Sequence, residues 1–345
     1  MQPTIYDVAK KAGVSIATVS KVINNNGRIG KDTRKKVLKI MEELNYHPSV
    51  LASGLTRKRT ETIGVLIPDL ANPFFAEITA SMEERAHELG LSVVICSTND
   101  SEEKEAKYIS LLMRKKVDGC ILASRFTQVS LIENMIKQGI PVALTSQDIP
   151  SLNLNTVSVD DYKGGYQATA HLASLGHKKI ATIAEKNVRS SHERIKGYMD
   201  AMIEKGLAVE DTYIVEVEPT VKGGKEAAER LLTSEDPPTA IFAGNDILAI
   251  GVSQGARACQ LEIPNDFSVV GFDNTLLATI CDPPLTTIAQ PIQQIGRQIV
   301  DVLVSEINGE LDYKQRIMLP PELVVRESTK KLFENKVSIK TTIEK

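Results

Sequence analysis

From Thr62 onward the chain alternates short apolar runs with amphipathic helical stretches, and that alternation leaves few ways to fold. "TIGVLIPD" reads as a strand and "PFFAEITASMEERAHELG" as a helix, followed by strand-like "LSVVICST", "DGCILAS" and "IPVALTS". A strand that returns through a helix to a neighbouring strand runs parallel to it, so the pattern predicts a parallel sheet covered by helices. A second series starts at "TVSVDD" and continues through "KGGYQATAHLASLG", "KKIATIAE", "HERIKGYMDAMIEKG", "TAIFAGND" and "FSVVGFD". It predicts a second unit of the same α/β kind. "PLTTIAQPIQQIGRQIVDVLVSEI" then returns as a strand and a helix, and "QRIMLPPELVVRES" as extended segments.

The first 60 residues are different in charge and pattern. They hold 12 Lys and Arg against 4 Asp and Glu, a net charge of +8, which leaves the rest of the chain at −11. A basic head on an acidic body points to a polyanion-binding module joined to a unit with another task. Thr4 followed by Asp7 has the spacing of a helix cap, and Ile5, Val8, Ala9 and Ala12 share one helical face. Gly13 permits a tight reversal, Ser15 suits the N-cap of a second helix, and Val19, Val22 and Ile23 turn inward. "DTRKKVLKIMEEL" supplies Val37, Ile40, Met41 and Leu44 for a third helix. In the second helix Ile16, Ala17, Ser20, Lys21 and Asn24 are left over. That set is a poor surface in water but suits a DNA major groove, where apolar groups meet thymine methyls and polar groups meet base edges.

At 345 residues the chain exceeds one ordinary domain, and 42% hydrophobic residues can bury substantial cores. No apolar run is long enough to span a bilayer and the N-terminus carries helix signals where a secretory segment would sit, so a cytoplasmic protein without membrane contact is expected. Cys96, Cys120, Cys259 and Cys281 are scattered, which favours reduced thiols over a metal or redox site, and no metal or cofactor is expected. The enzyme motifs G-x-S-x-G, G-x-x-x-x-G-K-[ST], G-x-G-x-x-G after a strand and H-E-x-x-H are all missing, so catalysis is not expected. A solute-binding protein would share the two-unit body but would lack the basic head.

"TIYDVAKKAGVSIATVSKVINN" followed by "TRKKVLKIMEELNYHPSVLASGL" resembles the DNA-binding headpiece of the LacI/GalR repressors, and the chain follows that family to about residue 330. The resemblance implies a helix-turn-helix headpiece at 1–47 and a hinge helix and linker at 48–60. It implies a periplasmic-binding-protein-like core of two lobes, 61–160 with 290–320 and 161–289 with 321–332; the last residues show no core pattern, so a flexible tail is expected at 333–345. It implies that the hinge folds on DNA and wedges Leu55 into the minor groove. On its own residues the hinge has Pro48 at a helix start, Gly54 weakening the interior and Arg57, Lys58 and Arg59 closing it. The DNA-contacting set expected is Thr4, Tyr6, Ser15, Ile16, Ala17, Thr18, Ser20, Lys21, Asn24, Arg28, Thr33, Leu55 and Arg57. The tail lacks sustained leucine heptads, so a homodimer on a pseudo-palindromic double-stranded operator is expected and not a tetramer.

Open α/β sheets bind ligands at the carboxyl ends of their strands. Asp69, Asn72, Phe74 and Phe75 follow the first strand here, Ser124 and Arg125 the third, Asn245 and Asp246 "TAIFAG", and Asp273 and Asn274 "FSVVGF". Arg194 aligns with the arginine that family members use on the effector, and Gln290 lies on a crossover. The effector set expected is Asn72, Phe74, Phe75, Ser124, Arg194, Asn245, Asp273 and Gln290. Asp and Asn exchange hydrogen bonds with hydroxyls, Arg anchors an oxygen, and Phe stacks on a sugar face, so a sugar or related hydroxylated metabolite fits. The alternative is a phosphorylated carrier-protein co-repressor, which family members of the catabolite-control branch bind near 291–308. There this chain has Gln293, Gln294 and, at an arginine's place, Asp301, whose charge would repel a phosphoserine.

Overall fold

The computed structural model describes residues 3–23, 27–46, 59–123, 126, 128–146 and 149–332. Asn24, residues 48–58 of the hinge and linker with Leu55 and Arg57, Ser124, Arg125 and the tail 333–345 lie outside the described residues.

The head is three helices, α1 (Ile5–Ala12), α2 (Ile16–Ile23) and α3 (Lys31–Glu43). At the start of α1 the Thr4 amide and hydroxyl donate to the Asp7 carboxylate at 2.8 and 2.7 Å. The helix stops at Gly13, whose φ of 65° is the left-handed conformation that glycine adopts without a Cβ clash. Ser15 Oγ then accepts the Thr18 amide at 3.1 Å and opens α2. Val8, Ala9, Ala12, Val19, Val22, Val37 and Ile40 form the buried core, with Ile23, Met41 and Leu44 packed against it.

The body holds two six-stranded sheets. The first contains β1 (Thr62–Ile67), β2 (Ser92–Ser97), β3 (Gly119–Leu122), β4 (Val142–Thr145), β5 (Asn155–Val159) and β11 (Arg316–Leu319), all parallel, in the order β11-β5-β4-β3-β1-β2. The second contains β6 (Ile180–Glu185), β7 (Ile214–Val217), β8 (Ala240–Ala243), β9 (Ser268–Asp273), β10 (Thr286–Ala289) and β12 (Glu322–Val324), in the order β12-β10-β9-β8-β6-β7. Its edge strand β12 runs antiparallel to β10. One reading changes here. "TVSVDD", which by its pattern opens the second series but which the family resemblance places in the first lobe at 61–160, is β5 of the first sheet, where it pairs with β4 and β11. Its pattern is that of any doubly covered strand, so only the pairing decides which sheet receives it.

Helices α4 (Pro73–Glu88) and α12 (Ile292–Ile307) cover one face of the first sheet through Phe74, Ile78, Met82, Ile295, Ile299 and Leu303. Helices α5 (Glu102–Lys115) and α6 (Val129–Lys137) cover the other through Ile109, Leu112, Ile132 and Met135. In the second lobe α7 (Asp161–Ser174) and α8 (Arg189–Glu204) cover one face, and α9 (Val221–Leu232) and α10 (Asp246–Ala258) the other, with the short α11 (Leu276–Ile280) following β9. The chain passes between lobes after β5, after β10 and after β11. No helix among the described residues is long and apolar enough to cross a membrane.

The C-terminal segment is tied to the second lobe by two histidines. His177, 2% exposed, has Nε2 at 3.1 Å from the Lys330 carbonyl and Nδ1 at 3.0 Å from the Thr239 hydroxyl. A carbonyl only accepts, so Nε2 carries the hydrogen and Nδ1 is left to accept from Thr239. His171 Nε2 meets the Thr329 hydroxyl at 3.1 Å. Burial holds both imidazoles below their ordinary pKa, so both stay neutral in the fold. A depressed histidine pKa favours the fold fully above about pH 6.5, the unfolded value, and progressively less below it. His177→Gln should therefore lower stability by about 1–2 kcal/mol at pH 8. Its melting curve should converge on that of the wild type as pH falls from 6.5 to 5, as calorimetry across that range will test.

Candidate functional site

Helix α2 presents a face that its own core does not use. Ile16 is 40% exposed, and Ala17 and Lys21 are exposed beside it, with half-buried Ser20 one turn on from Ile16. Tyr6 is 67% exposed on α1, Arg28 is exposed, and Thr33 is half-buried at the start of α3. Three of the expected hydroxyls have local duties: Thr4 bonds Asp7, and Ser15 and Thr18 bond each other across the cap of α2 at 2.9 Å. The outward groups with no such local role are an isoleucine, an alanine and a lysine, an apolar and cationic mixture that suits a groove floor and its phosphates.

In the body, several strand ends of the second sheet converge on one guanidinium. Arg194 on α8 has a side chain only 7% exposed. Its Nε donates to Asp161 Oδ1 at 2.8 Å, its Nη1 donates to the Gly244 carbonyl, and its plane lies 3.6 Å from the centre of the Phe272 ring. It is clamped by an acid, a dipole and a π face at once. Two glycines allow the arrangement. A Cβ on Gly165 would stand 2.1 Å from the Arg194 carbonyl, and one on Gly197 would stand 2.1 Å from that of Tyr162, so only glycines let α7 and α8 approach closely enough.

Around Arg194 the strand ends supply acceptors. β6 ends in half-buried Glu185, and β8 runs into Asn245, which caps α10 by accepting the Leu248 amide at 2.8 Å. That bond turns the Asn245 amide nitrogen toward Glu185, to which it donates. β9 ends at Asp273, whose Oδ1 accepts from Gln290 Nε2 at 2.7 Å. Asp273 holds a φ of 108°, a conformation that favours glycine. Strain of that kind is tolerated where a side chain is required at that point. Behind it Asp246 accepts the Thr275 amide and hydroxyl and the Thr287 hydroxyl at 2.7 to 2.8 Å, which fixes the corner from β9 into α11.

The electrostatics follow from burial. Asp161, Glu185 and Asp273 all feel Arg194, but desolvation outweighs that attraction and raises each pKa, that of Asp273 farthest above the carboxylate range. Desolvation pushes Asp246 up to about 6. The cluster is thus rich in acceptors that a hydrogen-bond donor would satisfy. Of the expected residues, Arg194, Asn245, Asp273 and Gln290 come together here. Asp161, Glu185 and Phe272 belong to the same cluster but did not emerge from the sequence. The first two were detectable as acids at strand ends, the signal that singled out Asp273, whereas Phe272 reads as an ordinary core residue.

From the first lobe, Asn72 caps α4 by accepting the Phe74 amide at 3.0 Å. Phe75 is half-buried. Phe74 is 5% exposed and packs with Ile78 and Met82, one and two helical turns on, and edge to face with Phe75. The lobes touch where the Leu276 amide donates to Glu77 at 3.2 Å. A cavity of about 720 Å³ opens beside that contact, lined by Glu77, Asn274, Gln290, Gln294, Arg297 and Asp301 among others. Asp301 accepts from Arg85 Nε at 2.6 Å, and Arg297 forks onto Glu88 at 2.9 and 2.7 Å.

Asp273→Asn should reveal the tension in the cluster. An acid whose folded pKa is raised destabilises the fold above that pKa and ceases to do so as pH falls through it. The asparagine variant, which keeps the tolerance for positive φ, should therefore be about 1 kcal/mol more stable than the wild type at pH 8, with the gap narrowing toward pH 5. Denaturant titration at the two pH values measures it, and an asparagine variant less stable at pH 8 would contradict it.

Comparisons with known proteins give matches along nearly the whole chain. Residues 4–49 match the family described as bacterial regulatory proteins, lacI family, and residues 60–327 match periplasmic binding proteins and sugar binding domain of LacI family. The chain is 47% identical to the HTH-type transcriptional regulator DegA of Bacillus subtilis (strain 168) over 96% of its own length and 99% of the relative's. The lac repressor dimer bound to operator and the anti-inducer ONPF superposes with a TM-score of 0.86 at 29% identity, covering 96% of this chain and 100% of that one. A complex of the transcriptional regulator CelR with cellobiose superposes with a TM-score of 0.74 at 30% identity, covering 94% of this chain and 99% of that one.

Proposed function

The chain belongs to the LacI family, and from that premise we propose that this DNA-binding transcriptional regulator grips a pseudo-palindromic operator as a homodimer and releases or holds it according to a neutral, hydroxylated small molecule in the cleft between its lobes. The observation that carries the ligand class is the clamp on Arg194. Its Nε and one Nη1 hydrogen are already given to Asp161 and Gly244, while Asp161, Glu185 and Asp273 share that one cation among the described residues. Hydroxyls can donate to the carboxylates and accept from the guanidinium hydrogens that remain. An anionic ligand would add charge to a site already rich in it. Half-buried Phe75 offers an apolar face to a sugar ring. The CelR complex with cellobiose, a sugar bound by a protein of the same fold, supports the same class.

The carrier-protein alternative is weaker. On α12 the side chains Asp301 and Arg297 are already paired with Arg85 and Glu88, and Asp301 adds an acid where a phosphate would need a cation.

Titration calorimetry of the full chain with neutral sugars, sugar phosphates and nucleobases tests the reading. A neutral sugar should bind, and Arg194→Ala should weaken it on the order of 100-fold, roughly 3 kcal/mol, while operator affinity without ligand stays. Tight binding of a sugar phosphate, or a ligand indifferent to Arg194→Ala, would contradict it. On the DNA side, footprinting should find two half-sites related by a two-fold axis, with affinity falling steeply as salt rises. Lys21→Ala should relax base preference, and an equal loss on every sequence would assign that lysine to phosphate contact alone.

A further inference from the structure

Residues 59 and 60, the last two of the hinge and linker segment and its only described ones, are held on the first lobe by hydrogen bonds. Arg59 Nη1 donates to Asn308 Oδ1 and Nη2 to the Ile307 carbonyl, both at 2.7 Å. The Thr60 amide donates to Asp118 Oδ1 at 2.8 Å, and its hydroxyl to the Lys116 carbonyl at 2.9 Å. The Arg59 contact is specific in kind. Ile307 is the last residue of α12 and Asn308 its C-cap, so the guanidinium satisfies an orphan carbonyl and lies at the negative end of the helix dipole. Asn308 is itself oriented by donating to Glu310 at 2.9 Å.

The opposite end of α12 begins in the cleft. Pro291 is its N-cap and the Ile292 amide donates to the Gln290 carbonyl at 2.8 Å, while Gln290, the residue after β10, is held on the second lobe by its amide on the Asp273 carbonyl at 3.3 Å and its side chain on the Asp273 carboxylate at 2.7 Å. Between those ends lie 16 helical residues, about 24 Å at 1.5 Å per residue. The helix is seated without slack. Ile307 and Leu303 come so close to β3 that a Cβ on Gly119 would stand 2.9 and 3.0 Å from them. Ile295, Ile299 and Leu303 are buried in the first lobe's core. A packed helix of this kind shifts as a body and does not bend locally.

We propose that Arg59 is the positioning residue that fixes the outgoing hinge to α12, so that a change at Asp273 and Gln290 is delivered along the helix to the DNA-binding head. This rests on the cleft being the effector site. A ligand hydroxyl that takes Asp273 competes with the Gln290 side chain, loosens the segment that joins β10 to α12, and so changes where the Arg59 end holds the hinge.

The test is a double-mutant cycle read on DNA, with no effector required. The full chain, Gln290→Ala, Arg59→Ala and the double variant are titrated against one operator duplex selected from a random pool with the wild type, at one salt concentration. Perturbations this far apart add when they are independent. Gln290→Ala should change operator affinity by about fivefold or more in the wild-type background and by less than about twofold beside Arg59→Ala. Arg59→Lys, which keeps the charge but loses the two-pronged grip, should behave like Arg59→Ala, and Asn308→Ala should fall between. Equal effects of Gln290→Ala in both backgrounds, no effect in either, or an Arg59→Lys variant indistinguishable from the wild type would each overturn the proposal. These outcomes are separate from the fate of the cleft reading, which stands or falls on the Arg194→Ala ligand titration. Unchanged melting temperatures confirm that every variant is folded.

Discussion

The burial of one guanidinium organises the second lobe and, through it, the cleft. Arg194 can lie within the protein only because Asp161, the Gly244 carbonyl and the Phe272 face take its charge from three directions. An unpaired buried cation would cost several kcal/mol. Those partners come from α7, the end of β8 and the end of β9, so satisfying one side chain fixes three elements relative to α8. The glycines at 165 and 197 are the backbone half of the same constraint, since any larger residue would push α7 and α8 apart and withdraw the arginine.

The cluster is stable as a scaffold yet unfinished as an electrostatic system. Its carboxylates are positioned by neighbours that donate too little to compensate their burial, and the raised pKa values of Glu185 and Asp273 express that deficit. A site left in this state gains most from a ligand that brings donors with it, which is how a fold can store sensitivity to a small molecule without storing instability elsewhere. The crossings after β5, β10 and β11 let such a local event act on both lobes, because β10 belongs to one sheet and the helix that follows it to the other. At the far end of that helix stands Arg59, which the sequence suggested as a cation closing the hinge helix and which the fold commits to Ile307 and Asn308.

The head shows how much a local pattern can carry. The helical spacing of Val8 and Ala12, of Val19 and Val22, and of Val37 and Ile40, the cap at Thr4 and the turn at Gly13 are all short-range features, and the structure realises each of them. The leftover Ile16 and Ala17 were legible for the same reason, since helix periodicity alone says which side chains the core cannot use.

Sequence by itself therefore determined the three helices of the head, the two alternating α/β series of the body and the acids and amides that end its strands. These depend on hydrophobic period and turn chemistry, which act over a few residues. Tertiary structure alone decided that Phe74 packs in the core and that Asp161, Glu185 and Phe272 surround Arg194. It also decided that Arg59 caps a helix ending 248 residues later in the chain. Such contacts join elements far apart in sequence. Strand order and side-chain meeting points are set by which faces bury the most area together, and no local pattern records that choice.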